Sequence, residues 1–128
     1  MKKRYILLID DNNIDCFIAN HIIVNSQLAD KVIMQNSAVE ALVYLRKALE
    51  CALDFPDLIF LDIAMPMMDG FAFLDELIKF KPVMDGDCVV VMLTSSGNDK
   101  DIDRAKAYSC VKDYFVKPLT LEMLERLM

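Results

Sequence analysis

The sequence predicts an α/β fold, a five-stranded parallel sheet covered by helices on both faces. Three observations lead there. Short, nearly uninterrupted apolar runs of strand length recur along the chain, and strands of that kind are buried on both faces. Longer segments with helical spacing separate them, so strand and helix alternate five times. The length, 128 residues, corresponds to one domain with one core, taken as residues 1–128.

The first strand is Tyr5–Ile9. The helix after it, residues 14–26, repeats Ile14, Phe17, Ile18, His21, Ile22 and Val24 near a period of 3.6. That stripe is expected to face the sheet, with His21 as a core or boundary residue. Asp11, Asn12 or Asn13 can cap the helix. Lys31–Gln35 is a weaker strand. Ser37 and Glu40 have capping-box spacing and open a helix with Val39, Leu42, Val43, Leu45 and Leu49 expected inside. The third strand is Leu58–Leu61, followed by a helix over Phe71–Phe80 that stops before Pro82. Cys88–Leu93 is the fourth strand, Asp99–Tyr108 a charged helix and Tyr114–Val116 a short fifth strand. The last helix begins near Thr120, with Leu121, Leu124 and Leu127 on its inner side. Right-handed crossovers make this (βα)5 pattern a doubly wound sheet. Five strands in a chain of this size suit the flavodoxin-like order 2-1-3-4-5. The last helix is short, either natively or because the chain is cut from a longer one.

Composition narrows the function. Hydrophobic residues at 55% and charged residues at 27% exclude general disorder. Fourteen basic against twenty acidic residues leave a net charge of −6, which argues against nucleic-acid binding and polybasic membrane anchoring. No apolar run reaches the ~18–20 residues of a membrane helix. The start, Met1 to Ile9, imitates a leader, but Asp10-Asp11 ends it at once. The four cysteines (Cys16, Cys51, Cys88, Cys110) are scattered and are expected to be core thiols of a cytoplasmic protein. With His21 the sole histidine, a zinc site is not expected.

The chemistry gathers at strand ends. In an open α/β sheet, ligands sit beyond the carboxyl ends of the strands, at the switch point of the winding. For this order that point lies between the first and third strands, which end in Asp10-Asp11 and Asp62. Any one of these acids could simply cap a helix. Three at adjacent strand ends repel one another unless a cation or proton relieves them, and a hard divalent ion such as Mg²⁺ prefers oxygen ligands. The fourth strand ends in Thr94-Ser95-Ser96, a source of hydroxyl and amide donors. The fifth ends in Lys117-Pro118, a source of positive charge. Acids, donors and a cation together suit a phosphoryl group held beside Mg²⁺.

On these residues the whole chain resembles the receiver domain of bacterial two-component response regulators. The resemblance rests on the Asp10-Asp11 pair, the segment Asp62-Ile63-Ala64-Met65-Pro66-Met67-Met68-Asp69-Gly70, then Thr94-Ser95 and Lys117-Pro118. It implies that Asp62 is the phosphoacceptor, attacking a phosphohistidine on a sensor histidine kinase or histidine phosphotransfer protein. It implies Mg²⁺ held by Asp11, Asp62 and the Ala64 carbonyl, with Asp10 acting mainly through metal-bound water. Lys117 would pair with Asp62 at rest and with a phosphoryl oxygen afterwards. Thr94 would swing toward the phosphate, the Ser95 amide would donate to it, and Tyr114 would turn inward as the switch aromatic. The switched surface, formed by the fourth helix, fifth strand and fifth helix, would recruit a downstream protein. The Lys117-Pro118 bond is expected to be cis. Ala64 and Ser96 occupy the positions that tune phosphate lifetime, and neither side chain is long enough to position an attacking water. Pro66 and Gly70 shape the loop after Asp62, with Gly70 expected in a left-handed conformation. A monomer, or a weak dimer formed on phosphorylation, is expected.

Three competing readings are weaker. An aspartate-nucleophile phosphatase carries a second Asp two positions on, where this chain has Ala64. A flavin carrier on this winding needs a hydroxyl-rich loop after the first strand, where Asp10-Asp11 would repel phosphate. A pure interaction module would have no use for the complete residue set.

Overall fold

The apolar strands assemble into one parallel sheet of order β2-β1-β3-β4-β5. A computed structural model describes residues 4–128; Met1, Lys2 and Lys3, the basic start of the leader-like stretch, lie outside it. The elements run β1 (Tyr5–Ile9), α1 (Asn13–Ser26), β2 (Lys31–Gln35), α2 (Ala38–Glu50), β3 (Leu58–Leu61) and α3 (Gly70–Leu77). They continue with α4 (Lys81–Met84), β4 (Val89–Thr94), α5 (Asp99–Lys106), β5 (Val111–Val116) and α6 (Leu121–Leu127). Because successive strand side chains point to opposite faces, the sheet splits the core in two. Leu7, Ile9, Ile59, Leu61, Val90 and Met92 pack with buried residues of α2, α3 and α5. Ile6, Leu8, Leu58, Phe60, Val91, Leu93 and Phe115 pack with Ala19 and Ile23 of α1 and Leu124 of α6. No helix of the described residues is long and apolar enough to cross a membrane.

Several helix faces differ from expectation. In α1 the buried residues are Cys16, Ala19 and Ile23, while Ile14, Phe17, Ile18 and Val24 are exposed. Both stripes have helical spacing, so periodicity alone does not choose between them; the smaller side chains lie against the sheet, where they allow close approach. His21 is therefore exposed rather than packed on the sheet. Its ring stacks on Phe17 at 6.3 Å, and its Nε2 lies 2.9 Å from Asn25 Nδ2. In α2, Leu42 and Leu45 are buried as expected, but Ala38, Ala41 and Ala48 complete the inner face and leave Val39, Val43 and Leu49 exposed. In α6, Leu124 alone is fully buried and Leu121 is exposed.

Boundaries also move. The helix expected over 71–80 ends at Leu77, and Pro82 sits in the first turn of the separate short α4, where its fixed φ and missing N–H are tolerated. β5 begins at Val111, three residues before the apolar run. Cys16, Cys88 and Cys110 are buried free thiols, as expected, but Cys51 is exposed beside the end of α2.

Candidate functional site

Sheet register builds the site. Ile9 pairs with Leu61 across β1 and β3, so Asp10 and Asp62, the next residues, leave the sheet side by side. The Asp62 amide donates to the Ile9 carbonyl (3.1 Å) and the Asp10 amide to the Gln35 carbonyl (3.2 Å). On the far side Thr94 pairs with Val116, and the Lys117 amide donates to the Thr94 carbonyl (2.8 Å). These backbone bonds bring to one crevice groups separated by as many as 107 positions in sequence. Asp10, Asp11 and Asp62 each offer a carboxylate oxygen there, all within 4.8 Å of one another.

Asp10, Asp62 and Thr94 are the buried polar residues of the chain's described part, at 7%, 5% and 1% exposure. Asp62 Oδ1 accepts from the Ile63 amide (2.8 Å), and Asp10 Oδ1 accepts from the Asn12 amide (2.9 Å). Lys117 Nζ lies 2.6 Å from Asp10 Oδ2, 2.8 Å from Asp15 Oδ2 and 3.3 Å from Asp62 Oδ2. Burial pushes the Asp10 carboxyl above the usual carboxylate range, against the opposing hydrogen bonds from Lys117 and the Asn12 amide. Burial alone would lower the Lys117 ammonium, but its bonds to Asp10 and Asp15 and the charge of Asp62 leave it raised. Lys117 therefore stays charged at any physiological pH. The expected Lys117–Asp62 pair is present, and Asp10 and Asp15 hold the ammonium more closely still.

Asp15 was not anticipated. It stands in the first turn of α1, where an acidic residue suits the helix dipole, so no spacing in the sequence marks it as part of the pocket. The capping alternative for Asp11 is settled by Asn12, whose side chain accepts from the amides of Ile14 and Asp15. Asp11 remains exposed beside its two buried neighbours. The three-carboxylate donor set is all oxygen, which fits a hard dication such as Mg²⁺; the Ala64 carbonyl follows Asp62 in the same loop.

The loop after Asp62 is shaped differently from expectation. The left-handed residue is Met67 (φ 71°), almost wholly exposed, and Gly70 has no positive φ. Gly70 is needed for close approach instead. A Cβ there would collide with the Asp62 carbonyl oxygen and lie 2.9 Å from Ile63 Cα. The Gly70 amide donates to the Ile63 carbonyl (2.8 Å), and Asp69 caps α3 through the Ala72 amide (2.8 Å). The start of α3 is thus clamped onto the strand end that carries Asp62.

On the β4 side, Thr94 Oγ1 accepts from the Ser96 amide (3.4 Å). Ser96 Oγ is committed to Asp101 (2.8 Å) at the start of α5. The Tyr114 hydroxyl donates to the Ser96 carbonyl (2.6 Å), linking β5 to the loop that follows Thr94 and carries Ser95. The Lys117-Pro118 bond is cis, as expected.

The family model for the response regulator receiver domain matches residues 6–128. The chain belongs to that family. It is 29% identical over 121 residues to a probable methanogenesis regulatory protein, FilR2, of Methanothrix harundinacea, covering 94% of this chain and 76% of that one. It is 30% identical to the probable transcriptional regulator ycf27 of Porphyra purpurea, but spans only 45% of that protein's length. Among solved structures, a two-component response regulator from Cytophaga hutchinsonii superposes with a TM-score of 0.89 at 32% identity, covering 99% of this chain and 95% of that one. The Mn²⁺-bound form of response regulator Rcp1 superposes at 0.77 with 25% identity, covering 97% and 88%. The receiver domain is a signalling phosphoacceptor module, and the acidic pocket of Asp10, Asp11 and Asp62 is of the kind that module uses.

Proposed function

We propose that this receiver domain takes a phosphoryl group onto Asp62 from a phosphohistidine of a sensor histidine kinase or a histidine phosphotransfer protein. The observation that carries the reading is the convergence of Asp10, Asp11 and Asp62 with Lys117 at three strand ends. An Asp62 carboxylate oxygen attacks phosphorus in line, the P–N bond to the donor imidazole breaks, and the imidazole leaves with the bonding pair. Such transfer depends on positioning and charge neutralisation more than on covalent help from the protein. Asp10, Asp11, Asp62 and the Ala64 carbonyl would hold Mg²⁺, in line with the metal-bound form of the relative Rcp1. Bound there, the ion offsets the repulsion between a carboxylate nucleophile and an incoming anion.

Lys117 supplies the second positive charge, to a phosphoryl oxygen. Thr94, the last residue of β4, swings toward the phosphoryl group, and the Ser95 amide on the adjoining loop serves a remaining oxygen. That movement releases or tightens the loop to which Tyr114 is bonded, which alters the α5–β5–α6 face for a downstream protein. The exposed apolar stripe Ile14, Phe17, Ile18 and Val24 lies on α1, the helix whose first turn carries Asp15, which favours a protein as donor.

The test is intact-mass measurement after incubation with acetyl phosphate and MgCl₂. One phosphoryl group is expected. Its loss is expected to take minutes or longer, because Ala64 carries no reaching side chain and Ser96 Oγ is engaged with Asp101. Uptake of no phosphoryl group refutes the proposal, and a half-life of seconds refutes the slow release.

A further inference from the structure

Three carboxylates from separate elements meet the Lys117 ammonium, and two of them have other duties. Asp10 and Asp62 belong to the three-oxygen cluster that fits a cation. Asp15, on the first turn of α1, lies outside that cluster. Its Oδ2 is 2.8 Å from Lys117 Nζ, across 102 positions of sequence, and its side chain is only 33% exposed. A cation that draws Asp10 and Asp62 oxygens toward itself loosens two of the lysine's three partners and leaves the third. A lysine ammonium is a point charge on a flexible stem, so where it sits depends on which anion keeps it.

Resting on the phosphoacceptor reading of Asp62, we propose that Asp15 is a positioning residue for phosphoryl transfer. It holds Lys117 on the α1 side of the pocket, keeps the ammonium from closing onto the Asp62 carboxylate, and presents it to the incoming phosphoryl oxygen. Without Asp15, the ammonium, already 3.3 Å from Asp62 Oδ2, closes further onto that carboxylate and masks the nucleophile. The loss falls on the rate of the chemical step, because small misplacements of a positioned group are costly there.

The experiment measures phosphorylation of the full chain by acetyl phosphate at saturating MgCl₂. For Asp15→Asn, the maximal rate is expected to fall about 3–10-fold, while the half-saturating donor concentration stays within about twofold, the signature of a group acting on chemistry rather than on donor binding. Asp15→Glu is expected to recover much of the rate. In a Lys117→Ala background, Asp15→Asn is expected to have no further effect, since coupled residues depart from additivity. Asp15→Ala serves as a second variant should Asp15→Asn unfold, with circular dichroism confirming the fold of each. An unchanged rate in Asp15→Asn, or an equal additional loss in the Lys117→Ala background, overturns the proposal. Failure of the native chain itself to take up phosphate refutes both the phosphoacceptor reading and this one; a native chain that is labelled while the cycle is additive refutes this one alone.

Discussion

Asp62→Asn is expected to take up no phosphoryl group under any donor or Mg²⁺ concentration, and to unfold at a higher temperature than the native chain when Mg²⁺ is absent. The first result follows from replacing the nucleophilic oxygen with an amide. The second follows from the local charge. Asp10, Asp15 and Asp62 share a single Lys117, and Asp11 adds a fourth carboxylate beside Asp10 and Asp62. Two like charges no more than 4.8 Å apart repel by about 3 kcal/mol at an effective dielectric constant near 20. Asn keeps the size of the side chain and removes one such charge, while Lys117 retains its two closer partners. The midpoint of thermal unfolding is expected to rise by several degrees, as read by circular dichroism in EDTA. A midpoint that falls would show that the Asp62–Lys117 contact outweighs the repulsion. Labelling of Asp62→Asn at the native level would place the acceptor elsewhere.

Gly70→Ala is expected to damage both fold and activity, although it adds a single methyl group to a residue whose own side chain has no part in the chemistry. The added Cβ meets the Asp62 carbonyl oxygen and the Ile63 Cα, both backbone atoms that cannot rotate aside. Forcing a methyl group into such a contact costs about 1–3 kcal/mol, relieved only if the start of α3 lifts from the end of β3. That movement displaces Asp62 from Asp10, so the phosphorylation rate is expected to fall by at least about tenfold, on the same ground that small displacements of reacting groups are costly. Denaturant unfolding together with acetyl phosphate labelling checks both effects. A fully stable, fully active Gly70→Ala variant would show that the clamp between α3 and β3 has slack.

The parts of the fold that the sequence expressed were those written in buried strands. Tyr5–Ile9 and Leu58–Leu61 are continuous apolar runs and coincide with β1 and β3. β5 was harder, because Val111-Lys112-Asp113 alternates on a partly exposed edge strand, leaving only its last residues apolar. Helix faces were read least well. α1 carries two stripes of helical spacing; the larger side chains, Ile14 and Phe17, lie on the exposed one, whereas Cys16 and Ala19 do the packing. The site showed the same contrast. Asp10, Asp11, Asp62 and Lys117 all announce themselves by ending an apolar strand. Asp15 lies within a helix, where an acidic first-turn residue is ordinary because it suits the helix dipole. Only the approach of the loop after β5, 102 positions away, gives it a partner. The role of Gly70 was legible as a necessity for glycine but not as its cause, since close backbone approach and a left-handed turn leave the same mark on a sequence.

Calorimetric titration of the native chain and of Asp11→Asn with MgCl₂ is the most direct measurement of whether these carboxylates form one cation-holding pocket. Asp11 is the exposed member of the cluster, so its replacement leaves the buried packing intact. The native chain is expected to bind one Mg²⁺, and Asp11→Asn to bind it about tenfold more weakly or worse. A native chain that binds no Mg²⁺, or binds it with the same affinity once Asp11 is neutralised, would contradict the pocket on which the proposed phosphoryl transfer depends.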